Sequence, residues 1–250
     1  MIEAFRQLHR PGDPLVLFNI WDAGSAAAVE QAGARAIATG SQSVAAAHGR
    51  SDGEDLSLDL VLENAARIVG RVGVPVSIDF ESGYADDPDG VAANAGRLAQ
   101  VGISGINLED GTIAADEAGD GLDALYDVET QQARIAAVRK VTPVFINART
   151  DIFLRSPADD HERHFSAALA RLEAYAEAGA DGFFVPGLQD RRLIARLCEA
   201  SALPVNIMMA PAGPTRNDLA ALGVARTSHG PFPYLEAMQR LTDQARAALG

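Results

Sequence analysis

Two groups of acids stand where short apolar runs stop: Asp79 and Glu81 in SIDFESGYADD, and Glu109 and Asp110 in INLEDG. Carboxylates a few ångströms apart cannot all ionise unless a cation sits among them. With no histidine pair and no cysteine beside them, the donors are hard oxygens, which select Mg2+ or Mn2+ over zinc. Each acid also has an ordinary use open to it, Asp79 and Glu81 in starting a turn and Glu109 and Asp110 in capping a helix. What favours the metal is that both groups end adjacent strands. Arg149, in FINARTD, stands as the only basic side chain close to a strand end. Its planar fork suits a carboxylate, and a salt bridge to the same acids is the competing use. Asn206 either hydrogen-bonds a second substrate carboxylate or orients a loop. His229 follows the last run, where a general base could stand, although an isolated histidine there more often has a structural partner.

The elements that must hold these side chains are eight short apolar runs of two alternating kinds. Runs 14–19, 75–79, 143–147 and 204–206 begin with proline, and runs 33–39, 102–109, 179–185 and 223–228 begin with glycine. Glycine supplies the left-handed residue just past a helix, and proline stops a helix at a strand's first residue. Between the runs, Ala- and Leu-rich segments at 57–72, 88–101, 128–140, 160–178, 189–200 and 232–248 carry helical spacing. Strand and helix alternating eight times predict a parallel sheet with right-handed crossovers. An open doubly wound sheet is the alternative. Without a GxGxxG turn, eight units favour one closed (β/α)8 TIM barrel over residues 1–250, with its site at the C-terminal strand ends.

Composition narrows the partners. The 21 basic and 34 acidic side chains leave a formal charge of −13, which repels nucleic acid and anionic lipid. An anionic substrate then needs a metal or a local arginine to reverse the field. The one cysteine, Cys198, sits in LIARLCEA as the apolar face of a helix and makes no internal disulfide. The first residues have no apolar leader core, and there is no apolar run of ~18 residues such as a membrane span needs, so a cytoplasmic location is expected.

The motifs WDAGSAAAVEQAGARAIATGSQSVAAAHGRSD, SIDFESGYADD, INLEDG, NARTD and FVPG resemble the isocitrate lyase and phosphoenolpyruvate mutase superfamily over nearly the whole chain. DFESGY matches its Asp-x-Asp-x-Gly-Tyr signature with Glu81 in place of the second Asp. The resemblance implies that Asp79 binds Mg2+ directly while Asp52, Glu81 and Glu109 hold it through water. It also implies that Arg149 grips the carboxylate of a 2-oxo acid or enolate, that Ser41 belongs to a cradle for that carboxylate, and that Trp21 and Asp22 line the pocket. Such relatives form tetramers that exchange the last helix, so a dimer or tetramer is expected.

The departures are specific. Superfamily lyases carry a Lys-Lys-Cys-Gly-His loop after the fourth strand, and phosphonopyruvate enzymes place a lysine there. This chain has GTIAADEAGDGLDALYD, with neither lysine nor cysteine, and its glycines predict either a mobile flap over 111–126 or an ordinary solvated loop. Gly187 replaces a glutamate of the methylisocitrate lyases. The remaining machinery suits a Mg2+-dependent carbon–carbon lyase acting on a small 2-oxo acid or dicarboxylate through an enolate, by decarboxylation of an oxaloacetate-like acid. A phosphonopyruvate mutase or hydrolase and a non-catalytic 2-oxo acid binding protein are the alternatives.

Overall fold

The computed structural model describes residues 1–112 and 122–250. Most of the expected flap, 113–121, lies outside the described residues. Eight parallel strands form one sheet: β1 (Leu15–Leu17), β2 (Ile37–Ala38), β3 (Val76–Asp79), β4 (Gly105–Glu109), β5 (Phe145–Arg149), β6 (Gly182–Phe184), β7 (Val205–Met208) and β8 (Arg226–Ser228). Their order is β1-β8-β7-β6-β5-β4-β3-β2. A parallel bridge between Ile20 and Thr39 brings β1 beside β2 and nearly closes the ring. The fold is therefore the TIM barrel that the alternating runs predict. Each strand starts inside its run, but β5 and β7 continue two residues past the predicted ends.

Ten α-helices are present among the described residues: α1 (Ile2–Gln7), α2 (Ala23–Gln31), α3 (Ser41–Ala47), α4 (Leu58–Val69), α5 (Pro88–Gln100), α6 (Val128–Val141), α7 (His161–Glu177), α8 (Arg191–Ala200), α9 (Arg216–Ala221) and α10 (Phe232–Leu249). The punctuation works as the sequence suggests. Gly33, Gly102, Gly179 and Gly223, which precede the even-numbered strands, all have φ between 88° and 96°. Asp87, Asp127 and Asp190 cap α5, α6 and α8 through their side chains.

A large apolar layer separates strands from helices, and a second cluster of Phe5, Leu15, Leu17, Ala36, Ala38 and Phe145 lies apart from it. Phe5 of α1 meets Phe145 edge-on at 5.4 Å, and His9 stacks on the same ring at 4.1 Å. The N-terminal segment thus plugs the end of the barrel where the strands begin, leaving the opposite end open for chemistry. Of α10, only Pro233 is buried, while Leu235, Leu241 and Leu249 are exposed. Among the described residues no helix is long and apolar enough to cross a membrane.

Candidate active site

Residues that alternate along the strands turn inward, and register shows which of them meet. Asp79 pairs with Asn107 across β3 and β4, and Glu109 pairs with Arg149 across β4 and β5. Asp79, Glu109 and Arg149 are therefore brought together at the mouth from three consecutive strands. Two adjoining cavities open there. One, about 280 Å³, is lined by Asp52, Glu81, Glu109, Arg149, Asp151 and Arg155 among others. The other, about 210 Å³, has Asp79 and Asn107 with Phe184, Pro186 and Met208. Ser41, Asp52, Arg149 and Leu154 border both.

Asp79 is held on both oxygens. Ser41 N–H donates to Oδ2 at 3.1 Å and Asn107 Nδ2 donates to Oδ1 at 3.3 Å. Glu81 has a different setting, because its oxygens accept from the Gly53 and Glu54 N–H groups at 3.0 and 2.6 Å and from the Tyr84 hydroxyl at 2.7 Å. It pins the loop that carries Asp52. Glu54 answers by accepting from Ser82 Oγ at 2.6 Å and Tyr84 N–H at 2.9 Å. Glu54, Glu81 and Tyr84 are the non-glycine residues with positive φ among those described. Such backbone persists where neighbouring bonds over-determine it, often at functional sites.

Burial pushes the Glu81 carboxyl up to about 7, with Asp52 and Asp79 adding to the rise against the Tyr84 bond. Burial also raises Glu109 well above the usual carboxylate range, opposed by Arg149 and reinforced by Asp151, Asp79 and Glu81. At the rim, Asp52 is raised by the surrounding protein and by Asp79, although Ser41 and Arg149 favour its charged form. For Arg149 burial works against the charge, yet Asp151, Glu109 and Asp79 outweigh it and hold the guanidinium protonated.

Arg149 makes the salt bridge that its acidic surroundings invite. Its Nε and Nη2 donate to Asp151 at 2.6 and 2.9 Å, and Nη1 lies 2.6 Å from Glu109 Oε2. Of the five N–H bonds of the guanidinium, the Asp151 fork uses one on Nε and one on Nη2. Of the two uses raised by the sequence, the salt bridge to neighbouring acids is the one these contacts make.

Among the described residues no group of three carboxylate, histidine or cysteine side chains forms a ready metal cage. A protein cage suits Ca2+ or Zn2+, whereas Mg2+ is commonly held by one or two carboxylates and completed by water and substrate oxygens. Asp79, with Asp52 and Glu109 nearby, fits that second pattern.

Several expected positions fall elsewhere. Asp22 caps α2, its Oδ1 accepting from Ser25 N–H at 2.7 Å, and Trp21 packs edge-on against Tyr234 at 5.2 Å. Both line a separate surface groove with Phe18 and Pro233 rather than the mouth. They lie beyond the turn that already ends β1. Asn206 is fully buried below the mouth and accepts from Ser228 Oγ at 3.0 Å. Because β7 runs on to Met208, that residue reaches the cavity instead. Asp110 faces away from the acids and accepts from Arg171 at 2.9 Å and Tyr175 at 2.8 Å. The ring of His229 packs against Phe18 at 5.0 Å, and burial lowers its pKa.

Arg149 is not the only basic side chain here. Arg155 lines the acidic cavity, and Arg226 of β8 points into the barrel beneath it. Asn107, Asp151 and Tyr84 are further residues at the site that no run end marks in the sequence. Stepping back two positions from Glu109 and from Ser228 finds Asn107 and Arg226, a signal the period of a strand supplies. The chain's only lysine, Lys140, is exposed in the last turn of α6, and its only cysteine, Cys198, lies in α8. Neither amine nor thiol stands at the mouth.

Comparison with known proteins places these features in context. Residues 5–249 match the phosphoenolpyruvate phosphomutase family. A crystal structure from Burkholderia cenocepacia J2315, described provisionally as a phosphonomutase, superposes with a TM-score of 0.93 at 47% identity, covering 98% of this chain and 97% of that one. The 2-methylisocitrate lyase of Salmonella typhimurium is 28% identical over 99% of this chain and 84% of its own. The oxaloacetate decarboxylase of Pseudomonas savastanoi pv. phaseolicola is 27% identical over 76% of this chain and 64% of its own.

Proposed function

Because the chain belongs to the phosphoenolpyruvate phosphomutase family, within the isocitrate lyase/PEP mutase superfamily, we propose that it is a Mg2+-dependent enzyme that breaks a C–C bond in a small 2-oxo acid through an enolate. The reaction is decarboxylation of an oxaloacetate-like acid. The observation that carries this reading is Arg149 and Asp79 lining one cavity at the mouth, with the guanidinium backed by Asp151 and Glu109. Asp79 would hold the metal, with Asp52, Glu81 and Glu109 around it through water. Bound there, Mg2+ supplies Lewis-acid polarisation of the 2-oxo oxygen.

The chain's own groups do the rest. Arg149 binds the carboxylate next to the oxo group and neutralises it, and the Ser41 hydroxyl completes the cradle. Glu81 holds the Asp52 loop in place. Loss of carbon dioxide leaves its electron pair on the adjacent carbon as the enolate, so no protein thiol or amine has to take a proton in the bond-breaking step. That matches a mouth with neither Cys198 nor Lys140. A cysteine-dependent isocitrate-type cleavage has no acid here. The exposed apolar side of α10 supports a homo-oligomer, and the absence of any long apolar helix among the described residues fits a cytoplasmic enzyme.

Likeness to a provisionally described phosphonomutase favours a second reading, cleavage or rearrangement of phosphonopyruvate. Purified protein with Mg2+ separates the two. Decarboxylation predicts pyruvate and carbon dioxide from oxaloacetate and no phosphate from phosphonopyruvate. Phosphate or phosphoenolpyruvate released from phosphonopyruvate, with oxaloacetate inert, would overturn it.

A further inference from the structure

Beneath the mouth the barrel holds a second polar layer. Arg226 is 1% exposed, and its neighbours in register are Leu15 and Asn206, neither of them an acid. Its Nη2 donates to Asn107 Oδ1 at 3.1 Å, while Nε and Nη1 meet no protein acceptor among the described residues. Asn147 Nδ2 donates to that same Asn107 oxygen at 2.9 Å. Asn107 Nδ2 then faces Asp79 Oδ1 at 3.3 Å.

These three contacts define the direction of one amide. An asparagine side chain can turn over and exchange its oxygen for its nitrogen. Turned over here, Asn107 would set its NH2 against the guanidinium and against the Asn147 amide, and its oxygen against the Asp79 carboxylate. Buried donors would face donors, and acceptor would face acceptor, each left unsatisfied. A neutral side chain at position 226 would keep only the weaker Asn147 contact. A buried guanidinium is costly unless its charge is used, and the acid that opposes the loss of its charge is Asp79.

We propose that Arg226 is a positioning residue which, by locking the Asn107 amide, aims the Asp79 carboxylate at the mouth. It touches neither substrate nor metal. The inference rests on the reading of Asp79 as the residue that holds Mg2+. Outer partners of metal-holding carboxylates commonly set affinity by 10–100-fold, which gives the scale of the effect.

The test measures binding of the metal alone, with Mn2+ followed by electron paramagnetic resonance and Mg2+ by calorimetry, in four variants. Arg226→Met removes charge and donors at similar length, Arg226→Lys keeps a cation with its N–H donors on a single nitrogen, Asn107→Leu removes the amide, and Asp79→Ala removes the carboxylate. Arg226→Met and Asn107→Leu are expected to weaken metal binding by about tenfold or more, with Arg226→Lys recovering most of the loss. For Arg226→Met the KM for oxaloacetate at saturating metal stays within about twofold. A role confined to packing would lower the melting temperature and leave metal affinity alone. Wild-type affinity in folded Arg226→Met and Asn107→Leu, alongside weak binding by Asp79→Ala, overturns the lock and spares the metal reading. Wild-type affinity in Asp79→Ala overturns both. Should Arg226→Met fail to fold, the uncharged exchange Asn107→Leu decides the question.

Discussion

Asp151 holds Arg149 along one edge of the guanidinium, with Nε and Nη2 donating to its two carboxylate oxygens at 2.6 and 2.9 Å. Asp151 is itself fixed from behind, since its N–H donates to Asp110 Oδ1 at 3.0 Å and Asp110 is anchored by Arg171 and Tyr175. A chain of buried polar contacts therefore runs from α7 through Asp110 and Asp151 to the anchored edge of Arg149.

Loosening that chain is expected to reach substrate before metal. Asp151→Asn keeps the shape but loses the charge and one acceptor. We expect the KM for oxaloacetate to rise by about tenfold, roughly 1.4 kcal/mol of lost binding, with kcat and Mg2+ affinity changed much less. Steady-state kinetics at saturating Mg2+, with a separate metal titration, check this. An unchanged KM would mean that Asp151 does not orient the arginine.

Glu81 predicts a pH dependence of stability. Its folded pKa, about 7, lies above the ordinary carboxylate value of 4.5, so the folded state keeps its proton where the unfolded state has lost it. Stability is favoured below pH 4.5 and falls as the pH rises through the window from 4.5 to about 7, by on the order of 3 kcal/mol for this group. Denaturant titrations of metal-free protein across that window should show the decline, and Glu81→Gln should flatten it. A stability that rises over the same range in wild type and is unchanged in the variant would contradict the assignment.

The positions of the strands, though not the ends of β5 and β7, were legible because proline and glycine act on the backbone locally, wherever the chain later goes. The acids at the mouth were legible because Asp79 and Glu109 end their runs. Asp22 was misread for a related reason: an aspartate before AGSAAAVE serves a helix cap as readily as a pocket, and only the path of the chain beyond Ile20 decides. Asn206 ends its predicted run because it is polar, yet the strand VNIM continues through it. Arg226 and Asn107 were hidden in strand interiors. Their meaning comes from contacts between β8 and β4, 119 residues apart, which no local pattern records.

Gly187 shows how a small residue is imposed by backbone. Its φ is 86°, and a Cβ there would come within 2.6 Å of Phe153 O and 2.8 Å of Leu154 Cα. A glutamate at this position has no room unless the 153–154 segment moves. Gly187→Ala is expected to destabilise the fold by about 2 kcal/mol, measured by thermal or denaturant unfolding. Wild-type stability would show that the segment yields freely.

The thiol is expected to be a bystander. Burial pushes Cys198 up to about 11, and it sits on α8 away from the mouth. Cys198→Ser should keep Mg2+-dependent turnover within about twofold of wild type. A loss of activity beyond any loss of folded protein would return a thiol to the chemistry.

Oxalate, a planar mimic of the enolate of a 2-oxo acid, offers the most direct test of a metal and arginine acting together. Thermal unfolding of wild type and Asp79→Ala should be followed with oxalate alone, Mg2+ alone and both. The prediction is a rise in melting temperature for wild type that requires Mg2+ and oxalate together, and no such rise in Asp79→Ala. Equal stabilisation by oxalate without metal, or an undiminished combined effect in Asp79→Ala, would contradict a Mg2+ site at this mouth.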